Sequence, residues 1–194
     1  MQRTQTHIQS MWHFEPLSEL ALQRYSIDEQ GNFVFNDENS GDDIAFVLDL
    51  MELYSGLDAF RSERFERYSI FTILEYLERT HSFYESRLLP KMEQAIHSVK
   101  RLFPDHEIAN ILDAFFSNYR NELLEHIDLE ETHLFTYARR LAHGGLIRDY
   151  SVAEFQAVHT QEVEDSLDKV INYIESDFPE VARSFAYRSF KTIL

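Results

Sequence analysis

The sequence predicts an all-α chain folded as an antiparallel, up-and-down helical bundle with an N-terminal appendage of helix and loop. Three observations predict it. Only 5 Gly and 4 Pro occur in 194 residues, too few to punctuate the turns of an all-β chain. Hydrophobic residues make up 44%, enough to build a core and to exclude wholesale disorder. From about residue 65 onward, apolar residues recur at alternating steps of three and four, the signature of one helix face. Short breaks separate these stretches, and short connections return successive helices antiparallel.

Residues 1–65 read as an appendage of unknown role, and residues 66–194 as the bundle. Within the appendage a short helix is expected near Leu17 to Tyr25. The stretch IDEQGNFVFNDENSGDD then reads as a loop with a small hairpin around Phe33–Phe35. Ser40 or Asp42 suits the cap of a helix running through Ile44, Leu48, Met51 and Leu53 to Gly56. The first long helix carries Ile70, Leu74, Leu77, His81, Tyr84 and Leu88 on one stripe, and Pro90 should kink or interrupt it. After a break at Pro104-Asp105, the next helix sets Leu112, Phe116, Tyr119, Leu123, His126, Glu130, His133 and Tyr137 along one seam. His143-Gly144-Gly145 suits its C-terminal end. A third helix starts near Ser151 and carries Phe155, His159, Val163, Leu167, Val170 and Ile174, and a break at Pro179 precedes a last short helix.

Composition narrows the function classes. The formal charge is −16, and no Lys/Arg run offers a basic face, so a nucleic-acid binder is disfavoured. The same charge opposes docking on an anionic membrane. Cys is absent, which removes disulfides, thiolate zinc sites and Cys-held iron–sulfur clusters. The N-terminal residues carry no apolar signal core, and no apolar run approaches about 18 residues, so a cytoplasmic protein is expected.

The seams should be apolar, because an ionisable group there is costly to desolvate without a partner. Yet three separate helices each place a His on the seam: His81, His126 and His159. Glu130 follows His126 by one turn, so imidazole and carboxylate leave the same face. A lone seam His is more often a satisfied core residue than a ligand, but three on separate helices with a carboxylate favour a metal site. Imidazole plus carboxylate without thiolate suits iron, manganese or zinc. His133 lies about 10 Å along the axis from His126 and reads as boundary packing. Glu131 is expected to face solvent, Tyr84, Tyr119 and Tyr137 to fill the core, and the remaining His residues have no coherent partners.

The stretches ILEYLERTHSFYESRLLPKMEQAI, NELLEHIDLEETHLF and FQAVHTQEVEDSLDKVINYI resemble the hemerythrin-like, or HHE cation-binding, domain over roughly residues 66–178. They look closest to the repair-of-iron-centres branch. The family's first His followed by Leu-Pro maps onto His81 and Leu89-Pro90. Its H-x-x-x-E-E-x-x-L-F signature maps onto His126, Glu130, Glu131, Leu134 and Phe135, and its later lone His onto His159. The resemblance implies a hemerythrin-like bundle with non-haem iron, as a di-iron centre if complete, held by His81, His126, Glu130 and His159. Glu130 would bridge, His126 would bind one iron, and His81 and His159 the other.

The chain also departs from the family pattern. The expected further His before the signature is replaced around Leu102-Phe103-Pro104, and the usual L-F-P reads Leu134-Phe135-Thr136. The terminal FAYRSFKTIL lacks the family's second H-x-x-x-E, so the last helix reads as truncated. The resemblance implies binding of O2 or NO, or donation of iron, in oxidative or nitrosative stress or in repair of an iron–sulfur client. The alternative is a degenerate, metal-free bundle serving as a binding, scaffolding or dimerisation module. Pairing into a homodimer is expected if an incomplete bundle leaves an apolar groove. No catalytic residue is assigned, and enzyme activity is left open.

Overall fold

The computed structural model describes residues 24–27, 33–34, 40–54, 62–145, 151, 155 and 162–193. These residues are predominantly helical, compatible with an all-α fold, and among them no helix is long and apolar enough to cross a membrane. The chain divides into two compact units, Met1–Thr80 and His81–Leu194.

In the first unit, strand β1 (Ser26–Ile27) pairs antiparallel with β2 (Phe33–Val34), Ser26 opposite Val34 and Ile27 opposite Phe33. This is the small hairpin expected from the Gly/Asn-rich stretch. The helix expected near Leu17 lies almost wholly outside the described residues. Helix α1 (Ser40–Tyr54) is followed by a 3-10 turn at Ser62–Arg64 and by helix α2 (Ile70–Phe83).

The face α1 buries differs from the expected Ile44/Leu48 stripe: Phe46, Val47, Leu50 and Met51 are buried, whereas Ile44, Leu48 and Leu53 are half-buried. Phe46 sets that orientation. Its ring stands edge-to-face against Phe65, Tyr68 and Tyr76 at centroid separations of 5.9, 5.1 and 5.6 Å, the favoured aromatic geometry. Asp49 comes to lie beside this cluster, 7% exposed. It accepts hydrogen bonds from Tyr68 Oη at 2.6 Å, from Arg64 at 2.9 Å and from Arg67.

In the second unit the backbone passes from α2 through a wide turn at Tyr84–Leu88 into helix α3 (Leu89–Leu102). Pro90 therefore introduces no break. Leu89 N–H reaches back to the Tyr84 carbonyl, and the widened turn accommodates a proline ring that would collide with the carbonyl four residues earlier in a regular helix. Helix α4 (Ile108–Leu129) runs through a second wide turn, Glu130–Phe135, into α5 (Thr136–Ala142).

Gly144, at φ 75, ends α5 where the sequence predicts, its N–H bonding the Leu141 carbonyl at 2.9 Å. Helices α6 (Glu162–Asp177), α7 (Pro179–Ala182) and α8 (Phe185–Ile193) follow. Helix α3 packs on α8 and α4, and α4 on α6. Their shared core includes Met92, Val99, Ile108, Leu112, Ile174 and Phe190, none more than 1% exposed. Each such side chain contributes about 1.5–3 kcal/mol by leaving water.

Candidate metal centre

His81 lies in the last turn of α2, on the stripe predicted for it, and is 5% exposed. Among the described residues, three of its partners come from the wide turn at Glu130–Phe135. The ring stacks on Phe135 at a centroid separation of 5.4 Å and an interplanar angle of 7°. Nδ1 is hydrogen-bonded to Glu131 Oε1 at 2.9 Å, and Nε2 stands 3.0 Å from Glu130 Oε2. The other oxygen of Glu130, Oε1, is 3.6 Å from His126 Nε2, one helical turn back. Glu130 thus offers one oxygen to each of two imidazoles that leave different helices.

The wide turn explains why two consecutive glutamates meet one ring. In a regular α-helix neighbouring residues point about 100° apart and do not share a partner. A turn closed over five residues reduces that step, and single wide turns of this kind recur at functional sites. Thr136 stabilises the turn by donating its hydroxyl to the Glu131 carbonyl at 3.3 Å. The inserted residue also rotates the C-terminal part of the helix about its axis. Phe135 becomes fully buried while His133 is exposed, although the unbroken seam expected His133 to pack. Tyr84, Tyr119 and Tyr137 are half-buried.

Two opposing effects act on the His81 ring. Burial disfavours its charged form, but the carboxylates of Glu130 and Glu131 outweigh burial and hold its pKa above the ordinary histidine value. Glu130 is largely shielded, with a side chain 16% exposed, whereas Glu131 is 44% exposed and His126 30%. Glu131 is exposed, as its position in the sequence suggested, and its carboxylate oxygen also reaches the buried ring.

Of the four predicted ligands, the structure brings His81, Glu130 and His126 together, and His159 lies outside the described residues. Among the described residues no group of three or more His, Asp and Glu side chains stands ready to hold a metal ion. The divided use of Glu130 accounts for this: each imidazole approaches its own carboxylate oxygen, so the donors are shared between two points.

The donor set is of the chemical type that suits a non-haem metal. It holds two imidazoles and carboxylate oxygens, and Cys is absent from the chain. Glu131 stands at the ring nitrogen of His81 opposite the one that faces Glu130.

His106, to which the sequence assigned nothing, has a structural role. Its Nδ1 accepts the Ile108 N–H at 3.2 Å at the start of α4, and its Nε2 pairs with Glu180 at 3.2 Å. Comparison with known proteins finds no family model, no curated protein and no solved structure that matches the chain.

Proposed function

We propose that this chain is a hemerythrin-like, antiparallel bundle that binds non-haem iron through His81, His126 and Glu130, with His159 as the further ligand implied by the resemblance. The observation that carries the reading is the placement of Glu130, whose two oxygens each approach a different imidazole. Imidazoles and a carboxylate from facing helices are the donors from which bundle cores build metal sites, and Glu130 would be the carboxylate of such a site. Manganese and zinc suit the same donors. Iron bound there supplies a centre for O2 or NO, or labile iron for a damaged iron–sulfur client.

The chain's own residues set the conditions. Phe135 covers one face of His81 and shields the ring from water. Glu131 occupies Nδ1, which leaves Nε2 directed at Glu130. His126 is the more accessible of the two imidazoles, its side chain 30% exposed against 7% for His81.

Metal analysis after anaerobic purification with ferrous iron tests the proposal. Stoichiometric iron, sharply reduced by His126→Ala and Glu130→Ala, is expected. Iron that stays far below stoichiometric and is indifferent to both substitutions removes the reading. In that case the cluster is an ion-paired imidazole in a metal-free bundle.

A further inference from the structure

We infer that His106 is a proton-operated joint between α4 and α7. Neutral, it caps the start of α4 and bonds α7; protonated, it releases α4 and keeps α7. None of its groups belongs to the candidate metal centre.

The contacts of the ring select one tautomer. Nδ1 stands 3.2 Å from the backbone N–H of Ile108, a group that can only donate, so Nδ1 is the accepting, unprotonated nitrogen. A neutral ring then carries its proton on Nε2, which donates to Glu180 Oε1 at 3.2 Å. Phe178 and Phe103 meet the imidazole edge-to-face at centroid separations of 5.1 and 6.1 Å and hold it in this pose. The corner that carries the ring is pinned as well. His106 N–H bonds the Phe103 carbonyl at 3.2 Å, and its own carbonyl accepts the Ala109 N–H at 3.1 Å.

No neighbouring group takes over the cap. Glu107, at the N-cap position, makes no side-chain bond to α4. Ile108 is 0% exposed, so water does not reach its N–H in this arrangement. A second proton on the ring sets one N–H against another at Nδ1. The bond to Ile108 is lost, and the first turn of α4 must shift to give the buried donor a new acceptor. The same proton strengthens the other arm, because an imidazolium bonds a carboxylate more strongly than a neutral ring does. Among the described residues Glu180 is the only charged side chain paired with His106; Asp105 and Glu107 flank it in the chain and make no bond to it. Falling pH therefore loosens the start of α4 while α7 stays held.

Amide exchange and long-range proton–nitrogen NMR on the full chain test the joint. In the neutral ring the His106 proton should sit on Nε2, and the Ile108 amide should be protected. From about pH 8 to about pH 5, the range in which histidines titrate, the Ile108 protection factor should fall by roughly tenfold, in step with the His106 ring signals. His106→Asn supplies a side-chain carbonyl that accepts the same N–H and does not titrate, so its Ile108 protection should stay level. A neutral ring with its proton on Nδ1 overturns the inference. So does wild-type Ile108 protection that is unmoved across that range, or a fall that persists undiminished in His106→Asn. The two wild-type readouts decide the matter whether or not the variant folds.

Discussion

Asp49 shows how this chain supports a buried carboxylate without a site around it. Burial pushes its pKa up, but hydrogen bonds from Tyr68, Arg64 and Arg67 overcome that and hold it below the usual carboxylate value of 3.8. Burial and the bond to Asp49 in turn push the Tyr68 hydroxyl up to about 12, so it remains a donor at ordinary pH. Asp49→Ala should cost about 2 kcal/mol in denaturant unfolding, because it strips acceptors from a buried network.

The sign of the pH dependence comes from the lowered value. Asp49's contribution is complete above the unfolded pKa of 3.8 and is lost as pH falls through the folded value. The stability gap between wild type and Asp49→Asn should therefore be full near pH 6 and shrink below pH 4. A gap that is constant from pH 6 to pH 3 would show that the carboxylate charge plays no part.

Phe135 makes a second claim at this scale. It is 0% exposed, and Phe135→Ala should cost about 3–5 kcal/mol by equilibrium unfolding while also loosening His81. Neither role was legible in advance. A carboxylate and a phenylalanine look alike whether they face water, core or a ring, and only the partners delivered by other segments decide.

Among the elements, the wide turn at Glu130–Phe135 matters most, because it converts a periodic seam into a site. The steps of three and four correctly located a long helix from Leu112 onward and placed His126 and Glu130 on its inward side. They carried no sign of the inserted residue, since periodicity is read by averaging over turns and one irregular turn is lost in the average. The same blindness applied at Pro90, where a wide turn replaced the anticipated break.

Deleting Thr132, an exposed residue inside the second wide turn, tests its importance. A regular helix should be restored, with the residues C-terminal to the deletion kept on their faces, because the lost residue is the one the wide turn absorbs. Far-UV circular dichroism should show helix content kept, while iron binding falls because Glu130 and Glu131 lose their common approach to His81. A deletion variant that loads iron like wild type would show that the turn is incidental. The hairpin at β1–β2 and the glycine stop at Gly144 were, by contrast, readable locally, because turn and cap residues act within a few positions of themselves.

Taken whole, the molecule carries a formal charge of −16, which favours cations at any site able to gather donors. If iron binds the native state and not the unfolded chain, saturating ferrous iron should raise the melting temperature by about 5–10 °C, and chelator should reverse it. A melting temperature unmoved by either would support the metal-free alternative.

The sequence by itself determined that the chain is mainly helical, where several of its helices stop, and that His81 lies on an inward face. Those properties arise from spacing, caps and composition, which act over one or two turns. Only the tertiary structure decided that Glu130 is shared between His81 and His126, that Glu131 turns back onto His81, and that α1 buries Phe46 and Asp49 together. These depend on segments far apart in the chain meeting at separations of a few ångströms, and no local pattern encodes which side chains arrive opposite one another.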